Sequence, residues 1–276
     1  MIKFTKMHGL GNDFVVIDAI NQNISLSPAQ IQFIADRNFG IGCDQLLLVE
    51  PPLSQNADFK YRIFNADGSE VAQCGNGARC FARFVHDKNL SSKEEITVDT
   101  NSGQLILTFD ADGLITVNMG IPKHLPSEVP IIAEQQALSY SLSVNHTEIV
   151  FGAVSMGNPH AVITVKDIKT EPVAKIGAAL ESHPFFPERA NIGFMQIINR
   201  QHIKLRVYER GAAETLACGS GACAAVVIGA EQNQLDKNNI TVELPGGSLE
   251  INWAGRGHAV FMKGPATSVF EGQIEL

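Results

Sequence analysis

Two stretches decide how this chain is read: "QCGNGARC" at residues 73–80 and "ACGSGACA" at residues 217–224. Each sets a cysteine, Cys74 or Cys218, before a Gly-polar-Gly turn that runs into an alanine-containing helical segment. Glycine removes the Cβ that would block a tight backbone approach. The first amides of a helix are unpaired and carry roughly half a positive charge. A thiol placed there is expected to ionise more readily than usual, and the same amides can hold a carboxylate. Cys80 and Cys223 fall inside the expected helices, where cysteine serves as a small buried hydrophobe. Cys43, in a Gly-rich loop, reads as a packing residue.

Working outward, the polar residues around these motifs recur. Cys74 and Cys218 lie 144 residues apart, as do Glu70 and Glu214, and Asn65 and Glu209. Gly11-Asn12 and Gly157-Asn158 lie 146 apart, as do Gln45 and Asn191. Matches in one order, on polar loop positions, imply a duplication, with small loop differences behind the change of offset. The elements repeat as well. "DQLLLVE" (44–50), "FKYRIFN" (59–65) and "EITVDT" (95–100) read as strands, being rich in β-branched and aromatic residues. "SPAQIQFIADR" reads as a helix capped by Ser27, with Pro28 at its first position and Ile31, Ile34 and Ala35 on one face. "GARCFARFVHD" continues a second helix from about Asn76. The segment "GIPKHLPSEVP" (120–130) holds three prolines and reads as a join. Beyond it follow strands in "EIVFGAV" and "HAVITV", a helix in "PVAKIGAAL", and strands in "GFMQII" and "HIKLRVYE". A helix in "SGACAAVVIGAEQ" and strands in "ITVEL", "SLEINW" and "AVFM" close the series. The expected fold is α/β (α+β): two pseudo-symmetric halves with the active site in the cleft between them.

With 276 residues, 45% hydrophobic and 18% charged, the chain has material for a globular core. A net charge of −8 without any Lys/Arg run argues against nucleic acid or an anionic membrane surface as partner. A small anionic substrate stays compatible, since one pocket can be positive on a negative protein. The opening "MIKFTKMHGLGNDF" lacks the apolar core of a secretory leader, and "FVVI" and "LLLV" are far too short to span a membrane. Those features predict a cytoplasmic protein, a compartment that disfavours stable disulfides. Five cysteines are in any case an odd number.

Three chemistries compete for the two thiols. Zinc favours Cys-x2-Cys spacing, whereas here the second cysteine of each motif lies six or five residues on, inside a helix. A redox couple is conceivable if Cys74 and Cys218 meet, although no Cys-x-x-Cys motif is present. The duplication suggests a third: two thiols reaching opposite faces of one carbon, one removing a proton and the other returning one. Asn12, Gln45, Asn65, Asn158 and Asn191 sit in turns at strand ends. Each alone is most simply a turn-former; as a matched set they suit a neutral hydrogen-bonding cage. Arg210 could bind a carboxylate bidentately or form a surface ion pair. His160 could be structural or could tune a nearby thiol.

"MHGLGNDF", "FNADGSEVAQCGNGARC", "SMGNPH", "ERANIGF" and "ACGSGACA" together resemble the diaminopimelate epimerase family, along nearly the whole chain. The resemblance implies cofactor-independent interconversion of LL- and meso-2,6-diaminopimelate in lysine and cell-wall precursor synthesis, with neither metal nor pyridoxal phosphate. It implies Cys74 and Cys218 as the acid and base, and Gly75, Asn76, Gly219 and Ser220 as the loops holding the reacting carboxylate. Asn12, Gln45, Asn65, Asn158, Asn191, Glu209 and Arg210 match positions that bind the rest of the substrate, and His160 and Glu209 match residues that adjust thiol protonation. The implied fold curls a mixed sheet around a central helix in each half. The C-terminal strand returns to the first half, which gives halves of 1–119 plus 265–276 and 120–264. A homodimer and a requirement for reductant are further expectations. Two positions depart from the family pattern: Ala213 stands where glycine is expected, and Phe270 where a tyrosine at the dimer contact is common.

Overall fold

Ser27 starts the first helix as its sequence dictates in a computed structural model that describes every residue except Gln73, Asn145 and His146. Its hydroxyl accepts from Gln30 N at 3.3 Å, and Gln30 Oε1 accepts from Ser27 N at 2.9 Å. This capping box satisfies two otherwise unpaired donors. Two compact units divide the chain, Met1–Asn118 with Lys263–Leu276, and Met119–Met262.

The first unit runs β1 (Ile2–Gly9), β2 (Asn12–Asp18), α1 (Pro28–Ala35), β3 (Gln45–Glu50), β4 (Phe59–Asn65), β5 (Glu70–Val71), α2 (Gly75–Asp87), β6 (Glu95–Thr100), β7 (Gly103–Phe109) and β8 (Ile115–Asn118). The second runs β9 (Tyr140–Val144), β10 (Thr147–Ser155), β11 (Pro159–Thr164), α3 (Val173–Glu181), β12 (Asn191–Asn199), β13 (His202–Glu209), β14 (Ala213–Thr215), α4 (Gly219–Glu231), β15 (Ile240–Leu244) and β16 (Gly247–Trp253). Then follow β17 (Val260–Gly264) and β18 (Thr267–Ile274). β18 pairs antiparallel with β1, setting Ile2 opposite Ile274.

Each unit is a mixed sheet, and the two repeat one topology. Parallel pairing of β2 with β3 sets Phe14 opposite Gln45, and parallel pairing of β11 with β12 sets His160 opposite Asn191. β4 runs parallel to β6 as β13 does to β15, while β6–β7 and β15–β16 are antiparallel hairpins. The short β5 and β14 flank β4 and β13 at matching registers, Phe64 opposite Glu70 and Tyr208 opposite Glu214. Even a surface fork is copied. Arg62 grips Glu70 through Nε at 2.9 Å and Nη2 at 2.8 Å, and Arg206 grips Glu214 through the same atoms at 2.6 and 2.9 Å.

Composition accounts for the enclosure of α4. A helix apolar nearly all round must be enclosed. α4 carries ten buried residues along its length and packs against β10, β11, β12, β13 and β16. α2 likewise meets β1, β2 and β3 as well as β7, β8 and β18, strands from both ends of its sheet, so the sheet curls around it. Gly77 permits the close approach: a Cβ there would sit 2.7 Å from Tyr61 Oη. α1 packs outside, burying Ile31 and Ile34 with Val15, Ile17, Leu46 and Leu48, each isoleucine stabilising by about 1.5–3 kcal/mol. α3 covers the corresponding outer face of the second unit, in a cluster with Phe151, Ile192 and Phe194. Among the described residues no helix is long and apolar enough to cross a membrane.

Candidate active site

Cys74 and Cys218 occupy the N-cap positions of α2 and α4, both with extended backbone (φ −142°, ψ 123° and φ −116°, ψ 105°). Gly75 and Gly219 are thus the first helical residues, and each thiol sits beside the amide-rich end of its own buried helix. The surroundings of the two sulfurs differ.

In the first unit, Cys74 is half-buried and its Sγ lies 3.7 Å from Asn12 Oδ1. Asn76 Nδ2 donates to the same oxygen at 3.4 Å. Asn12 Nδ2 donates to Asp44 Oδ2 at 2.9 Å, which fixes the amide with its carbonyl towards the thiol. Asp44 in turn is held by Arg37, which also grips Asp13. Gln45 and Asn65, opposite each other on β3 and β4, bond side chain to side chain at 3.0 Å, and Asn65 Nδ2 reaches Ser69 Oγ at 3.2 Å. Asn12, Cys74 and Asn76 therefore form one contact group, and Gln45 with Asn65 another.

In the second unit, Cys218 is buried and directs its thiol at Glu209 Oε2, 3.1 Å away. Thr215 Oγ1 donates to the other carboxylate oxygen at 2.5 Å, and Ser220 Oγ lies 3.7 Å from the sulfur. The sequence leads one to expect a readily ionised thiol at a helix N-terminus; Cys218 corrects this. Burial and then the Glu209 carboxylate push the thiol well above its ordinary value, outweighing the Gly221 amide and the Ser220 hydroxyl, which pull the other way. A buried thiolate beside a carboxylate is doubly disfavoured, so Cys218 is held as a thiol that donates to Glu209.

His160 is buried and its Nε2 donates to Asn158 Oδ1 at 3.0 Å. Burial, with the charge of Arg210 second, pulls its imidazole down to about 3, so the ring is neutral at physiological pH. Asn191 anchors the loop beside it, donating to Pro159 O at 3.2 Å and accepting from Arg210 N at 2.9 Å. The next amide, Gly211 N, donates to Glu181 Oε1 at 3.0 Å. The exposed Arg210 side chain reaches Glu188 O at 3.0 Å. His160, Asn158, Asn191 and Arg210 thus form a cluster around one loop, and Cys218, Glu209 and Ser220 form a second.

Asp44 and Thr215 each orient a residue that the sequence singles out, and Glu181 holds the amide next to Arg210; none is signalled by the repeat. Thr215 alone had a local cue, a hydroxyl three residues before the cysteine. Ala213 adopts φ +60°, the left-handed region in which a Cβ is strained. Among the described residues no group of three or more His, Cys, Asp or Glu side chains is arranged to hold a metal ion.

A family profile described as "Diaminopimelate epimerase" matches residues 4–125 and 152–269. Solved structures with similar folds include a "probable proline racemase" from Agrobacterium radiobacter K84, 14% identical, with a TM-score of 0.72 over 100% of this chain and 93% of that one. A hydroxyproline epimerase from Agrobacterium vitis is 13% identical, with a TM-score of 0.70 over 98% and 91% of the two chains. A phenazine biosynthesis protein of the PhzF family from Bacillus anthracis is 18% identical, with a TM-score of 0.68 over 100% and 99%.

Proposed function

The chain belongs to the diaminopimelate epimerase family, a family of isomerases, and from that premise we propose that it interconverts LL- and meso-2,6-diaminopimelate by two-thiol acid–base catalysis. The observation that carries this reading is the pair of cysteines at the N-caps of the two buried helices, each with a hydrogen-bond acceptor of its own, an amide oxygen for Cys74 and a carboxylate for Cys218. One sulfur, as thiolate, removes the Cα proton from one face; the other, as thiol, delivers a proton to the opposite face. In the return direction the roles exchange.

The chemical difficulty is the weak acidity of the Cα–H bond. In this reading the N-terminal amides of α2 and α4, together with Asn76 and Ser220, stabilise the charge that moves onto the reacting carboxylate. No cofactor is required. Glu209 takes up the proton of Cys218 when that residue must act as base. Arg210 and the amides of Asn12, Gln45, Asn65, Asn158 and Asn191 bind the distal amino and carboxylate groups and so read substrate length. His160 acts through Asn158 as a neutral prop of this cage. The reading includes a cytoplasmic homodimer in lysine and peptidoglycan precursor synthesis; Phe270, half exposed on β18 and edge-on to Phe4 at 6.0 Å, offers an apolar contact there.

The test is NMR of LL-diaminopimelate with reduced enzyme in D2O, with L-proline as the control. Deuterium at Cα of diaminopimelate alone, accompanied by meso product, supports the reading. Exchange into proline instead would move the chain to a racemase of another amino acid, and turnover of a disulfide without Cα exchange would make it an oxidoreductase.

A further inference from the structure

Arg79, in the second turn of α2, is completely buried, a rare place for a charge. Its Nη2 donates to Asn76 Oδ1 at 2.9 Å, its Nη1 to Gly75 O at 3.5 Å and its Nε to Pro265 O at 3.1 Å. A guanidinium has donors only, so the end of the Asn76 amide turned towards it has to be the oxygen. Nδ2 is thereby turned to Asn12 Oδ1, the atom 3.7 Å from Cys74 Sγ. Gly9 lies against this group: a Cβ there would come within 3.2 Å of both Arg79 Nη2 and Asn76 O. The repeat offers a control. The position 144 residues on is Cys223, and the second thiol has beside it not a cation but the Glu209 carboxylate.

We propose that Arg79 is a positioning residue of the first thiol site: it locks Asn76 as a donor facing Asn12 and Cys74, and its fixed positive charge behind the α2 N-terminus favours the Cys74 thiolate. The two halves of the duplicated fold are thus polarised in opposite senses, cationic behind Cys74 and anionic beside Cys218. A cation near a developing thiolate stabilises it more when buried, because water screens it less. This role presupposes the two-thiol chemistry proposed above, but the thiol's own reactivity reports it with no substrate present.

The experiment follows alkylation of Cys74 by iodoacetamide against pH in Cys218→Ala protein, where the remaining Cys43, Cys80 and Cys223 are buried. Arg79 is compared with Arg79→Lys, which keeps the charge but loses the fork, and with Arg79→Met. With Met the rate at pH 7 falls about tenfold and the profile moves to higher pH, as loss of a nearby cation requires. With Lys the rate stays within about threefold of the parent, since the charge survives. A folded Arg79→Met protein with an unchanged profile overturns the proposal, as does an Arg79→Lys protein as slow as Met. Should Arg79→Met not fold by circular dichroism, Arg79→Gln replaces it with the same two outcomes. If the protein with both cysteines intact does not exchange the Cα proton of diaminopimelate, the substrate reading fails while the thiol profiles still judge Arg79.

Discussion

Acidifying the solution from pH 7 to pH 5 should cost the second unit about 2 kcal/mol through His160 alone. The imidazole falls from its ordinary 6.5 to about 3 in the folded protein. The folded state therefore refuses a proton that the unfolded chain accepts. Stability from this group is complete above the unfolded value and drains away as pH drops below 6.5, until the folded ring also protonates near 3. At pH 5 the unfolded ring is almost fully charged and the folded ring almost wholly neutral. The distance from 6.5 to 5, at about 1.4 kcal/mol per pH unit, gives the figure. Trp253, the chain's single tryptophan, is buried in the same unit as His160 and reports its unfolding. Urea titrations followed by its fluorescence at pH 7 and pH 5 should be run on the parent and on His160→Gln, which can still donate to Asn158 but cannot ionise. The parent is expected to lose about 2 kcal/mol more than the variant between the two pH values. Parallel losses would show that the ring titrates normally and would refute the burial argument.

Other substitutions test the remaining links. Ala213→Gly relieves the cost of a Cβ at φ +60°, about 1–2 kcal/mol, against a loss of roughly 0.5–1 kcal/mol in unfolded-chain entropy; the net is a slightly higher melting temperature, and a lower one would contradict the strain. Glu209→Gln leaves the Cys218 proton without its carboxylate acceptor, so kcat for epimerisation should fall by about 10²-fold or more with KM little changed; a loss under about threefold would remove Glu209 from that role. Gly77→Ala gains up to about 1 kcal/mol in helix propensity but drives a Cβ to 2.7 Å from Tyr61 Oη and 3.2 Å from Phe14. Overpacking of that kind costs about 1–3 kcal/mol, so calorimetry should show a net destabilisation.

Much of the architecture was legible because duplication left its spacing in the sequence. The 144-residue offset that links Cys74 to Cys218 also links Arg62 to Arg206, and the strands carrying those arginines take the same neighbours in both units. Ser27, Pro28 and the Ile31–Ile34 stripe announced α1 because capping and helical periodicity are local signals. The two- and three-residue strands β5 and β14 were not legible, since they exist only through pairing with β4 and β13. The electrostatics of Cys218 are not legible in the same way: the helix end is written in the sequence next to the thiol, whereas the depth of burial and the approach of Glu209 are products of tertiary packing. Arg79 is the sharpest case. In sequence it is one charge in an amphipathic-looking helix; only enclosure by strands from both ends of the sheet puts that charge inside. The role of Asp44 is hidden for a related reason, as its link to Asn12 spans 32 residues and depends on β2 and β3 lying side by side.

The pairing of β18 with β1 also sets an order of events at the ribosome. The first unit emerges with one side of β1 bare, because its partner lies beyond the whole of the second unit in the sequence. Residues 119–262 form an uninterrupted unit and are all made before Thr267. The half made first is thus the half finished last. A nascent chain arrested before Thr267 carries all residues of the second unit and an open β edge in the first, the kind of edge that recruits other chains. Synthesis of residues 267–274 thus supplies the strand that seals the unit made before it.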